Sequence, residues 1–149
     1  MPDCDVSTDI IVGFCGETEE EHQDTLSLMH QVKYALAYMY NYSERPGTLA
    51  ARRYLDDVPQ EVKQRRLEEV IDAFRTEVVG VFQQSVGKTF EVLIEGNSKK
   101  SAAQWCGRNS QNKMVVFPKI EGKHQKGDYV NVYIKEATSS TLIGEIVNS

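Results

Sequence analysis

The chain has 149 residues, 40% of them hydrophobic and 26% charged, with 17 Lys or Arg against 22 Asp or Glu and a formal net charge of -5. Folding at this length hides about 68–70% of the unfolded surface, so a core forms without disulfides or metal. No run of about 18 apolar residues offers a membrane span, Met1-Pro-Asp-Cys-Asp5 lacks the basic and apolar regions of a signal peptide, and Cys4, Cys15 and Cys106 are too scattered for a disulfide scaffold, which points to a reducing cytoplasm.

Ser7-Thr-Asp-Ile-Ile-Val-Gly-Phe14, closed by Gly16, reads as a buried strand entering a turn. Thr18-Glu-Glu-Glu21 fits a capping box, and the helix it opens carries Leu26, Met29, Val32 and Leu36 as an apolar stripe. Ala37-Tyr-Met-Tyr-Asn-Tyr42 alternates as a second strand before Pro46 and Gly47 force a turn. Strand, helix, strand is the grammar of a parallel unit. A longer helix follows Asp57 and Pro59, carrying Val62, Leu67, Val70, Ile71, Phe74, Val78, Val81 and Phe82 at helical spacing to about Ser85, where Gly87 suits a C-terminal cap. Gly80 costs that helix about 1 kcal/mol relative to Ala, so fraying or a break after Val79 is expected.

From Lys88 the pattern changes to short strands: 89–95, 112–117, 128–135 and 141–146, with 104–108 as a fifth candidate. Turns at Gly96-Asn97, Gly122 and Gly127 give the spacing of a small, partly open Greek-key barrel of the OB type. The charge divides at the same place. Residues 1–86 hold 8 Lys or Arg and 16 Asp or Glu, net -8, while residues 87–149 hold 9 and 6, net +3, restoring the totals of 17 and 22.

Two regions are candidates for chemistry. The turns 13–17 and 43–48 follow parallel strands at their carboxyl ends, where α/β folds gather ligands. Asp9, Glu17 and Arg45 offer polar groups there, although Gly13, Gly16 and Gly47 equally suit turns alone. The barrel half interleaves Lys88, Lys99, Lys100, Arg108, Lys113, Lys119, Lys123 and Lys126 with Phe90, Trp105, Phe117 and Tyr129, a pattern suited either to phosphates and unpaired bases or to a solvated surface over a core. The cysteines match no ligand spacing for zinc or iron–sulfur, and His22 and His30 are two turns apart, too far for an i, i+4 metal pair. No nucleophile–base set and no G-x4-G-K-[ST] phosphate loop is present.

Ser7–Phe14 with Gly16-Glu-Thr18, Tyr42–Thr48 with Ala50-Ala51, Asp56–Lys63 with Arg65-Arg-Leu67, and a tail of Val86-Gly-Lys88, Gly107-Arg108, Asn112 and Thr138–Glu145 together resemble the MiaB-type radical SAM tRNA methylthiotransferases. The resemblance implies an α/β plus all-β architecture: residues 1–86 as the last strand–helix units of a partial radical SAM (β/α) barrel with a linker helix, and residues 87–149 as an OB-like TRAM β-barrel that binds RNA. It further implies methylthiolation at C2 of N6-isopentenyladenosine 37 of tRNA, with S-adenosylmethionine and two 4Fe–4S clusters as the parent family's cofactors. By motif position, Asp9, Gly13 and Phe14 would lie near the S-adenosylmethionine pocket and Arg45 and Thr48 on the substrate side, while Lys88, Lys99, Lys100, Arg108, Asn112 and Lys113 would face RNA.

The departures are specific. The family's C-x3-C-x2-C loop and the N-terminal domain bearing three further cysteines are absent from this sequence, Cys15 stands where the family usually has Pro, and Val79-Gly80 departs from its polar linker helix. The expectation is a cytoplasmic C-terminal fragment that holds no cluster, is inactive alone, and has the tRNA anticodon stem-loop as partner, with neither membrane nor DNA. The alternatives are a free-standing RNA-binding module and a scaffold domain without RNA contact.

Overall fold

The structure is a computed structural model that describes residues 3–147. Its chain divides into two compact units, Val6–Glu77 and Met1–Asp5 with Val78–Ser149.

In the first unit, β1 (Ser7–Val12) and β2 (Leu36–Asn41) pair in parallel from Ser7↔Leu36 to Val12↔Asn41. The connection is α1 (Glu19–Val32), whose capping box is complete: the Thr18 hydroxyl accepts from the Glu21 amide at 3.2 Å and the Glu21 carboxylate accepts from the Thr18 amide at 2.8 Å. Alternation turns Ile10 and Val12 inward, where they pack with Met29, Val70 and Ala73 and with half-buried Leu26, Met39, Leu67 and Phe74. The opposite face of the sheet leaves Ile11, Tyr38 and Tyr40 exposed. The first strand was expected to reach Phe14 but stops at Val12, because Gly13 turns left-handed (φ 71°) and the Phe14 carbonyl accepts from the Glu17 amide. A Cβ on Gly13 would meet the Lys63 side chain.

The short helix α2 (Leu49–Arg53) was not expected; Thr48 caps it, its hydroxyl accepting from the Ala51 amide at 3.3 Å. The long helix α3 (Gln60–Gln83) runs unbroken through Gly80, against the expected break. Val78, Val81 and Phe82 are buried around that position, which offsets the glycine's cost of about 1 kcal/mol. The boundary between the two compact units falls inside this helix, between Glu77 and Val78.

The second unit is built on β3 (Thr89–Asn97), β4 (Gln104–Asn109), β5 (Met114–Pro118), β6 (Tyr129–Ala137) and β7 (Thr141–Ile146), ordered β3-β4-β5-β7-β6. The barrel is closed rather than partly open, because β3 pairs with both β4 and β6, so every strand has two neighbours and no edge remains. Four of the five junctions are antiparallel and the β5–β7 junction is parallel. Val92, Ile94, Val115, Phe117, Val132, Ile134 and Leu142 fill the interior. Closure depends on two glycines: a Cβ on Gly107 would collide with the Leu93 carbonyl, and one on Gly144 with the Tyr133 carbonyl. Two parallel strands do not by themselves define a (β/α) barrel, so the all-β half of the expected architecture is the part the structure displays. Among the described residues no helix is long and apolar enough to cross a membrane.

Candidate nucleic-acid interface and the sheet-end cleft

OB barrels take nucleic acids on the face of their second and third strands and on the loop joining the first two. Here those are β4 with β5 and the loop 98–103, which carries Lys99 and Lys100 with both side chains exposed. The loop is shaped by its serines: the Ser98 hydroxyl accepts from the Lys100 amide at 3.4 Å and the Ser101 hydroxyl from the Ala103 amide at 3.2 Å. On β4 the buried Gly107 and Asn109 alternate with Arg108, which faces out. Its guanidinium donates to the Asn112 carbonyl at 3.0 Å and side-chain oxygen at 3.2 Å, and its Nε lies 3.4 Å from Glu95. Asn112, left-handed at φ 61°, makes the tip of the β4–β5 turn, so the structure brings these two expected residues together. Lys88 is exposed just before β3, and its carbonyl accepts from the Ile134 amide at 2.9 Å.

Lys113 departs from expectation. Its side chain is only 4% exposed, and its ammonium lies 2.9 Å from the Asp5 carboxylate, 3.2 Å from the Ser85 hydroxyl and over the Phe82 ring. Burial of its methylenes against Phe82 and pairing with Asp5 turn it inward, away from any surface ligand. Lys119 is also engaged, 4.1 Å above the Trp105 ring and 2.7 Å from the Asn97 side-chain oxygen. Of the interleaved aromatics, Phe117 is core and Phe90 half-buried, whereas Tyr129 is 65% exposed. Tyr133, not singled out from the sequence, shares the outer face of β6 with it, as alternation with Val132 and Ile134 required.

At the carboxyl end of β1, against the start of α1, lies an open cleft of about 370 Å3 lined by Ile11, Phe14, Cys15, Gly16, Glu17, Glu21 and Thr25. Phe14 stands edge-on to Tyr42 (5.0 Å) and Tyr54 (5.9 Å). The Gly13 amide donates to the Glu17 carboxylate, and the Gly16 amide to Asp57 at 2.7 Å. Of the three residues expected near a cofactor, Phe14 lines this cleft, Gly13 backs onto Lys63, and Asp9 is exposed on its strand and outside the lining. Arg45 and Thr48 are adjacent: the Thr48 hydroxyl donates to the Arg45 carbonyl at 2.8 Å while capping α2, and the Arg45 side chain is exposed.

Beside this cleft runs a charged network that sequence spacing did not reveal. His22 is fully buried, with Nε2 at 2.6 Å from Glu69 and Nδ1 at 3.8 Å from Glu17. Arg65 bridges Glu19 (2.6 Å) and Glu69 (2.7 Å), and the buried Arg66 donates to the Glu17 carbonyl at 3.0 Å. The Arg65 hydrogen bond holds the Glu19 carboxyl down to about 2. Burial opposes ionisation of Glu69, but hydrogen bonds from His22 and Arg65 outweigh it and lower its pKa. Glu19, His22 and Glu69 bring ligand-type atoms within 4.8 Å of one another, yet Arg65 already occupies both carboxylates, which makes the group an ion-pair network rather than a cation site. The free thiols Cys4, Cys15 and Cys106 join no such group among the described residues, so this donor set does not fit a 4Fe–4S cluster.

Residues 83–147 match the TRAM domain family, and the closed five-stranded barrel is that domain. The chain as a whole is 58% identical over 144 residues to the tRNA-2-methylthio-N(6)-dimethylallyladenosine synthase of Amoebophilus asiaticus, covering 97% of this chain and 29% of that protein. It is 53% identical over 148 residues to the synthase of the same name from Flavobacterium psychrophilum, covering 99% of this chain and 30% of that protein. A solution structure of a conserved Methanococcus maripaludis protein aligns over 42% of this chain and 80% of its own at 25% identity, with a TM-score of 0.34. Along almost its whole length the chain is thus similar to enzymes named as tRNA methylthiotransferases, it carries a TRAM domain, and it spans about 30% of the length of these curated relatives.

Proposed function

We propose that this chain is the C-terminal portion of a tRNA methylthiotransferase acting at C2 of N6-isopentenyladenosine 37, with the TRAM barrel holding the tRNA anticodon stem-loop. The observation that carries this reading is similarity along 97–99% of the chain to synthases of that name, together with the TRAM match over 83–147. On this reading β1, α1, β2 and α3 are the last units of a partial radical SAM barrel in the cytoplasm. The open face bearing Ile11, Tyr38 and Tyr40 is where further strands of the longer relatives would pack.

In that longer protein, S-adenosylmethionine and iron–sulfur clusters supply the radical and sulfur chemistry. The residues of this chain contribute position only: Phe14 walls the cleft at the carboxyl end of β1, while Arg45 and Thr48 shape the next turn. On the barrel, Lys88, Lys99, Lys100 and Arg108 offer cations to phosphates, and the Asn112 turn orients Arg108.

The test is binding of an isopentenylated anticodon stem-loop to the full chain between 50 and 200 mM salt. Affinity should fall as salt rises, and Lys99→Ala with Lys100→Ala should flatten the log–log slope by about 0.7–0.9 per lysine. Salt-independent binding, or none at low salt, overturns the reading. The free-standing RNA-binding module is the second reading, favoured by the closure of the barrel into its own compact unit. Restoration of methylthiolation when the chain is fused to the missing length of a relative would decide against it.

A further inference from the structure

The outer surface of β3 and β6 carries a second cavity, of about 450 Å3, lined by Glu91, His124, Tyr129, Val130, Asn131, Ile146 and Val147. It lies on neither β4, β5 nor the lysine-bearing loop. Its chemistry differs from theirs as well: one exposed aromatic ring, one carboxylate, one imidazole and one carboxamide line it beside Val130, Ile146 and Val147.

The strand register fixes how these groups stand. Glu91 pairs with Asn131 and Leu93 with Tyr129 across the β3–β6 junction, and alternation puts all four on the outside of the barrel while Val92, Val130 and Val132 point in. On its other side Leu93 pairs with Arg108. Arg108, Leu93 and Tyr129 thus form one row over three strands, placing the Arg108 backbone roughly 10 Å from that of Tyr129. The loop 119–128 brings His124 to the cavity and carries Lys123 and Lys126. It is docked on β3 by reciprocal bonds, the Gly127 amide donating to the Ile94 carbonyl and the Ile94 amide to the Asp128 carbonyl, both at 2.9 Å.

Among the described residues the Glu91 carboxylate, the His124 ring and the Tyr129 ring have no hydrogen-bond, ion-pair or ring partner, whereas neighbouring Glu95 is paired with Arg108 and Asp128 accepts from the Gln125 amide. A carboxylate at the mouth of a cavity repels a phosphate but accepts N–H groups. An exposed tyrosine beside it offers a flat face. Cations at Arg108, Lys123 and Lys126 flank the position where a strand entering or leaving the cavity would carry phosphates.

We propose that this cavity is a subsite for a single unpaired nucleobase bearing an exocyclic amine, stacked on Tyr129 with its N–H edge bonded to Glu91. The proposal rests on the reading of the barrel as an RNA-binding domain and adds base selection to it. Lys99, Lys100 and Arg108 set the salt-dependent grip, and the cavity supplies the sequence-dependent part.

The experiment measures fluorescence anisotropy of labelled rA, rC and rU hexamers with the full chain at 50 and 150 mM salt. Expected are tighter binding of rA and rC than of rU, loss of about tenfold in affinity for all three in Tyr129→Ala with an unchanged salt slope, and retention in Tyr129→Phe. Glu91→Gln should erase the preference over rU while leaving rU affinity near that of the parent. If both cavity variants bind all three hexamers as the parent does, and Lys99→Ala with Lys100→Ala still weakens binding, the subsite is refuted and the RNA-binding reading stands. If the parent chain binds none of the hexamers at either salt, both fail.

Discussion

The Lys113 ammonium sits 2.9 Å from the Asp5 carboxylate, with 4% of the lysine side chain and 17% of the aspartate side chain exposed. Removing one member of such a buried pair strands the other charge, which typically costs about 3–5 kcal/mol. Lys113→Ala also leaves the Ser85 hydroxyl and the Val81 carbonyl without their donor. Urea denaturation should therefore show Lys113→Ala and Asp5→Ala each losing about 2–4 kcal/mol, with the double variant well short of the sum. The salt slope of RNA binding should not change in folded Lys113→Ala. A flattened slope would put this lysine on the RNA after all.

Gly107 and Gly144 differ from Gly80 in what surrounds them. The first two face the Leu93 and Tyr133 carbonyls across strand junctions, and a methyl group there forces the strands apart. Gly107→Ala and Gly144→Ala should each destabilise the barrel by about 1–3 kcal/mol or prevent folding. Nothing lies near a Cβ on Gly80. Gly80→Ala should raise stability by about 1 kcal/mol, measurable as a shift in the thermal midpoint.

The network around Arg65 predicts a pH dependence of definite sign. Glu19 titrates at about 2 in the folded chain against 4.5 in the ordinary range, so its contribution to stability is complete above about 4.5 and is lost as pH falls toward 2. Glu69, also depressed, acts in the same direction. Denaturant midpoints measured from pH 6 to pH 2.5 should fall, and Glu19→Gln should make the fall shallower. An identical pH profile in that variant would remove Glu19 from the account.

The face of β1 and β2 bearing Ile11, Tyr38 and Tyr40 is apolar and open. Such faces associate. Sedimentation velocity should find concentration-dependent self-association of the chain, reduced in the double variant Ile11→Lys, Tyr40→Lys. Because both side chains are already exposed, that variant should keep the parent's stability within about 0.5 kcal/mol. Monomeric behaviour of the parent at all concentrations would contradict the expectation.

Local signals were legible and distant ones were not. The Thr18 box could be read because its two bonds join residues three apart, and the barrel strands could be placed from their short β-branched runs and glycine turns, whereas which strands pair and in what register could not. The burial of Lys113 could not, since it depends on Asp5, Ser85 and Phe82 from elsewhere in the chain. His22 was weighed only against His30 as a metal pair, and its contact with Glu69, 47 positions away, left no local signal. The five-residue α2 left only its Thr48 cap as a signal. Gly80 misled for the opposite reason, because its local penalty is outweighed by the packing of Val78, Val81 and Phe82.

The position of the unit boundary inside α3 bears on how the barrel can be excised. A cut at Gly87, where the sequence changes character, would discard Val78, Val81, Phe82 and Ser85, all buried, and would remove the Phe82 ring beneath Lys113. A separately produced barrel needs the last turns of the helix, and it needs Asp5 supplied from the other end of the chain. Its minimal gene is two stretches of sequence joined by a linker, not one.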